Sequence, residues 1–263
     1  MPSIATNVAA NSSLFYLNRN SSLQSDSLAK ISSGSRIVKA SDDAAGAAIS
    51  AGIQSDISSL QTAAQTVQQL DALLQIADGG LQRVGDILQR MKALSAQYGS
   101  GTLSATEQGF INTEMANLQT EINLIGTSTT FNGDGLIDGG FNQTAIVGAT
   151  STNTIAINLT TVNISAGAVG EVSGANPGNI DTDIDNVGTM RARVGALQSA
   201  VGFQGEVVAT QIENLQAAKS AIADVDIAAE QTRFTNYQVL TEAAIAGLAQ
   251  ANQITQSLLS LLR

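Results

Sequence analysis

The chain contains 263 residues, of which only 3% are aromatic, and it has no Trp, Cys or His. The missing thiol and imidazole groups exclude disulfides and thiolate metal sites, and they argue against catalysis because histidine is the commonest acid–base residue. Twelve basic residues against 22 acidic ones give a formal net charge of -10, which disfavours nucleic acids and anionic membrane surfaces as partners.

With only two prolines, most of the chain is free to form long helices. One face of a first helix is predicted from residues that recur at steps of three and four. These are Leu14, Leu17, Ser21, Gln24, Leu28 and Ile31. Gly34 is a suitable helix end. Ser41 is predicted to cap the next helix, with Asp42 and Asp43 in its first turn, where negative charge suits the helix dipole.

The second helix carries the strongest pattern in the sequence, because every seam position over five heptads is apolar. The ten residues are Leu60, Ala63, Val67, Leu70, Leu74, Ala77, Leu81, Val84, Leu88 and Met91. Such a seam is typical of coiled-coil packing, so this helix, which should end near Tyr98, needs a partner helix. Gly79, Gly80 and Gly85 lie within it and indicate either a close approach by another backbone or a bend.

A third helix is predicted to begin where Ser104 and Glu107 have the spacing of a capping box. It has one apolar stripe and a predicted end at Gly126. The stripe consists of Ile111, Met115, Leu118, Ile122 and Ile125. The polar region that follows contains two segments rich in β-branched residues, 144–147 and 154–159, which predict a small hairpin.

Heptads return in the last third of the chain and predict a long helix that pairs with the second one. Its two seam lines are Val187, Val194, Val201, Val208, Leu215 and Ile222, and Met190, Leu197, Gln204, Gln211, Ala218 and Val225. A final seam, shifted by four residues, contains Tyr237, Leu240, Ala244, Gly247, Ala251, Ile254, Leu258 and Leu261. The breaks in pattern near 34–45 and 226–236 predict two nested layers, in which the chain ends pair and the inner helices pair.

The sequence contains no catalytic constellation. Carboxylates that could bind a hard cation occur at three places: Asp42 with Asp43, Asp181 with Asp183 and Asp185, and Asp224 with Asp226. The run that begins at Asp181 lacks the glycine and the distal Glu of a calcium loop, so we expect neither a metal nor a cofactor. No apolar run approaches the roughly 20 residues that span a bilayer, and residues 1–8 show no ordinary secretory signal.

Three motifs resemble those of bacterial flagellins and occur in the same order. The first is SSGSRIVKASDDAAGAAI at 32–49. The second is TTFNGDGLIDG at 129–139. The third is LAQANQ at 248–253, followed by LLSLLR at 258–263. Together with the heptads between them, the resemblance covers nearly the whole chain.

The resemblance implies a mainly α flagellin core fold, with long antiparallel helices in coiled-coil or bundle packing and a small β-hairpin region. It implies a structural protein that self-assembles into the extracellular flagellar filament for motility, and not an enzyme. Export through the flagellar type III pathway would need no cleavable signal peptide. The implied partners are other copies of the chain, the flagellar cap, hook-associated proteins and an export chaperone. The alternative is a hook–filament junction protein with flagellin-like ends.

The resemblance also implies a domain division. Residues 1–45 with 226–263 correspond to a terminal coiled-coil inner domain that is disordered until assembly. Residues 46–140 with 178–225 correspond to a helical outer core domain. Residues 141–177 form a short polar insert in place of variable outer domains, too short for a further domain of typical size.

Three groups of functional residues follow from the seams and the resemblance. The terminal coiled coil and polymerisation are assigned to Leu14, Leu17, Leu28, Ile31, Leu240, Ile254, Leu258 and Leu261. The signature connector is assigned to Ser33, Gly34, Arg36, Asp42 and Asp43. Contacts between outer domains, and a surface for the flagellin-sensing Toll-like receptor, are assigned to Gln89, Arg90, Leu94, Gln97 and Glu114. Lys92 and Ala93 stand where many recognised members have Arg and Glu, which argues against receptor activation.

Overall fold

The computed structural model describes residues 7–164 and 177–260, and the chain is mainly α-helical, as predicted. In chain order its elements are α1 (Val8–Ser33), α2 (Ala44–Tyr98), α3 (Ala105–Ser128), β1 (Thr130–Phe131), β2 (Asp134–Gly135), β3 (Asn142–Ile146), β4 (Thr154–Asn158), α4 (Pro177–Ala223) and α5 (Ile227–Ser260). The chain divides into two compact units, unit 1 with residues 1–55 and 215–263 and unit 2 with residues 56–214.

Unit 2 is organised around the predicted seam of α2. All ten seam residues are buried, and six of them have no exposed surface: Leu74, Ala77, Leu81, Val84, Leu88 and Met91. The same core contains side chains from α3, from α4 and from the β-strand region. Each fully buried aliphatic side chain contributes about 1.5–3 kcal/mol relative to exposure. The heptad pattern therefore identified the contribution of α2 to this core correctly.

Helix α4 is the partner of α2 within unit 2, and the two helices run antiparallel. Near the end of α2, Lys92 forms an ion pair with Asp181 at the start of α4. Further along, Arg191 donates to both carboxylate oxygens of Asp78, at 2.8 and 3.2 Å. Five α4 seam residues are buried: Val187, Met190, Val194, Val201 and Val208. The prediction that the seam closes within one chain is confirmed.

Helix α3 begins at the predicted capping box, in which the Ser104 and Glu107 side chains each accept a hydrogen bond from the other residue's backbone. Its predicted stripe faces the core. The predicted end at Gly126 is wrong, because α3 continues to Ser128. Gly126 is buried instead, and a Cβ atom there would lie 3.2 Å from Ile164 Cγ1. This glycine permits close packing and does not terminate the helix.

Two antiparallel hairpins follow α3. The predicted hairpin is confirmed as β3 with β4, in which Thr144 lies opposite Ala156. A shorter hairpin, β1 with β2, was not predicted. Its turn consists of Asn132 at φ 53° and Gly133 at φ 92°, and an Asn-Gly pair is the usual signal for such a turn. Residues 165–176 of the predicted insert lie outside the described part of the chain.

Unit 1 contains the pair formed by α1 and α5. The two helices run antiparallel, since Asn7 at the start of α1 donates its side-chain N–H to the backbone oxygen of Ala251, at 3.0 Å. The chain ends therefore pair in the described part of the structure, as the sequence predicted. The residues between the helices differ from the prediction, as described below.

We expect alanine substitutions at two adjacent glycines of α2 to have opposite effects. Gly79 has open space around it, so Gly79→Ala should stabilise the chain by about 1 kcal/mol through higher helix propensity. At Gly80 a Cβ atom would lie 2.8 Å from Thr129 Oγ1, which is held by a hydrogen bond to Ile125 O. Gly80→Ala should therefore lower the free energy of unfolding.

The measurement is urea unfolding of both variants beside the wild type, followed by circular dichroism. The Gly79 variant is the matched control, because both variants add the same methyl group to neighbouring positions. Equal midpoints for the two variants would contradict the close approach at Gly80.

Candidate functional site

The signature connector joins α1 to α2 and is hydrogen-bonded to the joint between α4 and α5. Gly34 ends α1 in the left-handed conformation at φ 69°, which glycine adopts without strain. The next residue, Ser35, forms an isolated antiparallel bridge with Asp224. On either side of it, Arg36 N donates to Ala223 O at 2.6 Å and Val225 N donates to Gly34 O at 3.1 Å. We call this group of contacts, formed by residues 33–43 and 222–226, the clasp.

Hydroxyl side chains support the backbone of the clasp. Ser35 Oγ donates to Ala223 O at 3.0 Å and accepts from Ile37 N at 3.3 Å. Ser33 Oγ accepts a hydrogen bond from Ser35 N at 3.2 Å. Ser35 and the α4–α5 joint were not among the predicted site residues. The sequence offers no direct signal for them, because the bridge joins Ser35 to Asp224, and these two segments lie far apart in the sequence.

The acidic pair of the connector has two separate roles. Asp42 accepts hydrogen bonds from Val38 N and Lys39 N, at 3.1 and 3.0 Å. Asp43 accepts one from Gly46 N at 2.8 Å and so caps α2. The prediction that Ser41 is the cap is wrong, because α2 begins at Ala44 and Asp43 is the residue before it.

Hydrogen bonds lower the pKa of both carboxyls below the ordinary value of 3.8. For Asp42 the main cause is donation by the backbone N–H groups of Lys39 and Val38. For Asp43 the main causes are the Gly46 N–H and the nearby positive charge of Arg36. Both groups are therefore ionised at neutral pH, as helix and turn capping require.

The seam between α1 and α5 mixes small and polar residues, which are buried, with larger apolar residues, which are half-buried. Ser27, Glu230 and Ala251 are buried, and Leu17, Ile31 and Tyr237 are half-buried. The second line of the α5 seam consists of Phe234, Thr241 and Leu248, one residue away from the predicted positions. The seam lines that were predicted on apolar periodicity are therefore wrong in part.

Four of the predicted terminal residues are not buried between α1 and α5. Leu14, Leu28, Leu240 and Ile254 are 44%, 51%, 49% and 52% exposed. Their assignment to the terminal coiled coil and polymerisation stays a prediction. Other large apolar residues on these outer faces of α1 and α5 were missed: Val8, Phe15, Tyr16, Ile227, Val239 and Ile245. The side chain of Leu258 and the whole of Leu261 lie outside the described residues.

The predicted surface at the end of α2 is partly formed. Gln89, Arg90 and Gln97 are exposed. Arg90 donates through Nε and Nη2 to Glu114 Oε1, at 3.0 and 2.7 Å. Leu94 is only 2% exposed and belongs to the core of unit 2, so its assignment to this surface is wrong. Leu94 lies three residues after the buried seam residue Met91 and so shares the buried face of α2.

Among the described residues, no group of His, Cys, Asp or Glu side chains is arranged to hold a metal ion. Of the predicted acidic clusters, Asp224 accepts from Ser220 Oγ at 2.6 Å and Asp226 accepts from Ala228 N at 3.0 Å. These carboxylates serve helix ends and the α4–α5 joint. Within the described ranges, no helix combines the length and the apolar character that crossing a membrane requires.

Residues 4–142 match the family model described as "Bacterial flagellin N-terminal helical region", and residues 178–262 match "Bacterial flagellin C-terminal helical region". The chain belongs to the flagellin family. Flagellin of Bacillus subtilis (strain 168) is 34% identical over 299 residues, covering 98% of each chain. The flagellar filament 33 kDa core protein of Treponema phagedenis is 36% identical over 275 residues, covering 94% of each.

A crystal structure of Bacillus cereus flagellin aligns with a TM-score of 0.42 and 21% identity, covering 57% of this chain and 88% of that one. Flagellins are structural proteins, and the chain is accordingly not an enzyme. The residues that matter for such a protein are those that shape the subunit and those that it presents to neighbours. Among the described residues, the clasp belongs to the first group.

We expect the stabilisation by Asp43 to be lost in acid. A carboxyl whose pKa is lowered by folding stabilises the fold above its ordinary pKa and ceases to do so as the pH falls through its folded value. Asp43→Ala should therefore lower the thermal midpoint at about pH 7, and the difference from the wild type should vanish at about pH 2. Far-UV circular dichroism of the purified chain measures both.

Asp26→Ala is the control for this experiment. It removes another carboxylate of unit 1 whose partner, Lys39, forms an exposed ion pair with it at 3.1 Å. Exposed ion pairs contribute little to the free energy of unfolding. The thermal midpoint of Asp26→Ala should therefore equal that of the wild type at both pH values. If Asp43→Ala shifted the midpoint equally in acid and at neutral pH, capping by the ionised carboxylate would be excluded.

Proposed function

We propose that the chain is a structural subunit that self-assembles into the extracellular bacterial flagellar filament for swimming motility. The observation that carries this proposal is the arrangement of unit 1. Its helices pair through a mixed seam of small, polar and half-buried apolar residues, and several large apolar side chains stay exposed. Groups of exposed large apolar side chains mark interaction surfaces. A second copy of the chain is the partner that a filament protein requires.

The domain division inferred from the resemblance is part of the proposal. The inner domain comprises 1–45 with 226–263, the outer core comprises 46–140 with 178–225, and 141–177 replaces larger variable domains. In the free subunit the helices α1 and α5 of the inner domain are disordered, because a pair of helices with few buried large side chains offsets little of the entropy cost of ordering. Assembly then covers the outer faces and orders both helices.

The net charge of the chain supports an arrangement in which α1 and α5 are packed most closely together. Acidic and basic residues are balanced within the sequence of unit 1, so the whole formal charge of -10 belongs to residues 56–214. Closely packed copies of a neutral unit repel one another little. Copies of the charged unit repel one another and keep the assembled filament soluble.

Further partners belong to the proposal because flagellins as a family require them. They are the flagellar cap, the hook-associated proteins and an export chaperone of the type III pathway. The receptor surface, without Leu94, comprises Gln89, Arg90, Gln97 and Glu114. A receptor would have to compete with the Arg90–Glu114 ion pair, and Lys92 and Ala93 weaken the match further.

We expect a charge on the outer face of α5 to block polymerisation without unfolding the chain. Leu240→Asp and Ile254→Asp each place a carboxylate on an exposed face, so the free subunit tolerates them. In a filament that buries this face the carboxylate would be desolvated without a partner, at a cost of several kcal/mol. Elongation of preformed seeds, counted by negative-stain electron microscopy, should fall at least about tenfold.

Leu240→Met and Ile254→Val are the matched controls, because they keep the face apolar at nearly the same volume. They should elongate seeds as the wild type does. Normal elongation by both Asp variants would exclude the outer face of α5 as an assembly contact.

We also expect elongation to accelerate with salt. Raising sodium chloride from about 10 mM to about 150 mM shortens the Debye length from roughly 30 Å to roughly 8 Å and screens the repulsion between copies of unit 2. Light scattering during seeded growth measures the rate. A double variant, Glu206→Gln with Glu213→Gln, should show a weaker dependence, and equal rates of the wild type at both concentrations would argue against repulsion.

A further inference from the structure

Arg36 has a different role from the other residues of the clasp, because its side chain reaches two helices. Its backbone N–H donates to Ala223 O at 2.6 Å. Its Nη2 donates to Ile222 O at 2.8 Å and lies 3.4 Å from Asp43 Oδ2. One guanidinium therefore connects the carboxyl end of α4 with the carboxylate that caps the start of α2.

The end of α4 needs such a donor. The last carbonyl groups of a helix have no partner within it, and a basic residue in the last turn often compensates. Helix α4 has no basic residue in its last turn. Arg36, distant in sequence, supplies two donors to consecutive carbonyls at this end, one from its backbone and one from its side chain.

The hydrogen bonds of the Arg36 guanidinium have fixed directions. A guanidinium is planar and holds its donors in a fixed arrangement, so two acceptors on different helices constrain the orientation of both helices. A lysine ammonium is a point charge on a flexible chain and cannot impose the same constraint. The backbone bridge around Ser35 holds the connector at the joint whichever side chain occupies position 36.

We propose that Arg36 is a positioning residue that sets the direction in which α2 and α4 leave the clasp, and that it thereby sets the twist between successive subunits of the filament. The second part rests on the proposed function. In a helical polymer every subunit repeats the same joint, so a small change of direction accumulates along the filament. Arg36 controls the geometry of the filament, while the outer faces of α1 and α5 control its formation.

The first test measures the joint in the purified chain. Arg36→Gln should raise the hydrogen-exchange rate of the backbone amides at 222–226 by roughly threefold to tenfold, because one charge-assisted bond at an exposed site is lost. Arg36→Lys should show the same increase. Lys39→Gln is the control, since it removes another cation from the connector but only an exposed ion pair with Asp26. Unchanged exchange in both Arg36 variants would overturn the positioning role.

The second test measures the filament. Seeded filaments of Arg36→Gln should form in normal yield, with a twist per subunit that differs from the wild type in helical reconstruction by electron cryomicroscopy. Asp43→Asn keeps an acceptor for the Gly46 N–H while removing the charge opposite Arg36, and should change the twist in the same direction by less. An unchanged twist, or a failure of Arg36→Gln to assemble beside normal wild-type growth, would overturn the proposal.

The two tests separate this inference from the function on which it rests. If the wild-type chain did not elongate seeds, the proposed function would fail. In that case faster exchange at 222–226 in both Arg36 variants would still support the positioning role within unit 1.

Discussion

The apolar seam of α2 is the constraint on which unit 2 depends. A helix of 55 residues that carries ten apolar side chains in a continuous line cannot remain in water on that face. Helix α4 covers it with valines at heptad spacing, and α3 and the strands complete the core. The strict spacing explains how unit 2 buries a continuous apolar core with almost no aromatic residues.

Unit 1 lacks such a buried apolar seam. Small residues such as Ala251 and Ser27 are buried between its helices, and several large apolar side chains of both helices remain exposed. A helix pair that buries so few large apolar side chains has low stability by itself. Association with other copies covers the apolar side chains that it leaves exposed. The same chain thus contains one seam that is completed internally and one pair whose outer faces need other copies.

Between the long helices, the chain changes direction at joints that depend on hydrogen bonds and not on apolar burial. The clasp uses backbone groups, two serines, two aspartates and Arg36, and most of these side chains are exposed. Each contact is weak in water, but hydrogen bonds are directional where apolar contacts are not. Such a joint can hold helices at a defined direction without a core of its own.

The sequence by itself determined the existence and type of the five described helices, the α2 seam, its α4 partner and the β3–β4 hairpin, because a heptad or a two-residue period shows which face of an element is apolar. It also contained the family motifs. Tertiary structure alone decided the faces of α1 and α5, the burial of Leu94 and Gly126, and the capping of α2 by Asp43. Periodicity shows that a face is apolar, but which neighbour covers it, or whether any does, depends on how closely another segment approaches. For the same reason the partners of Arg36 could not be predicted, since they are carbonyl groups almost two hundred residues away that the fold brings within 3 Å.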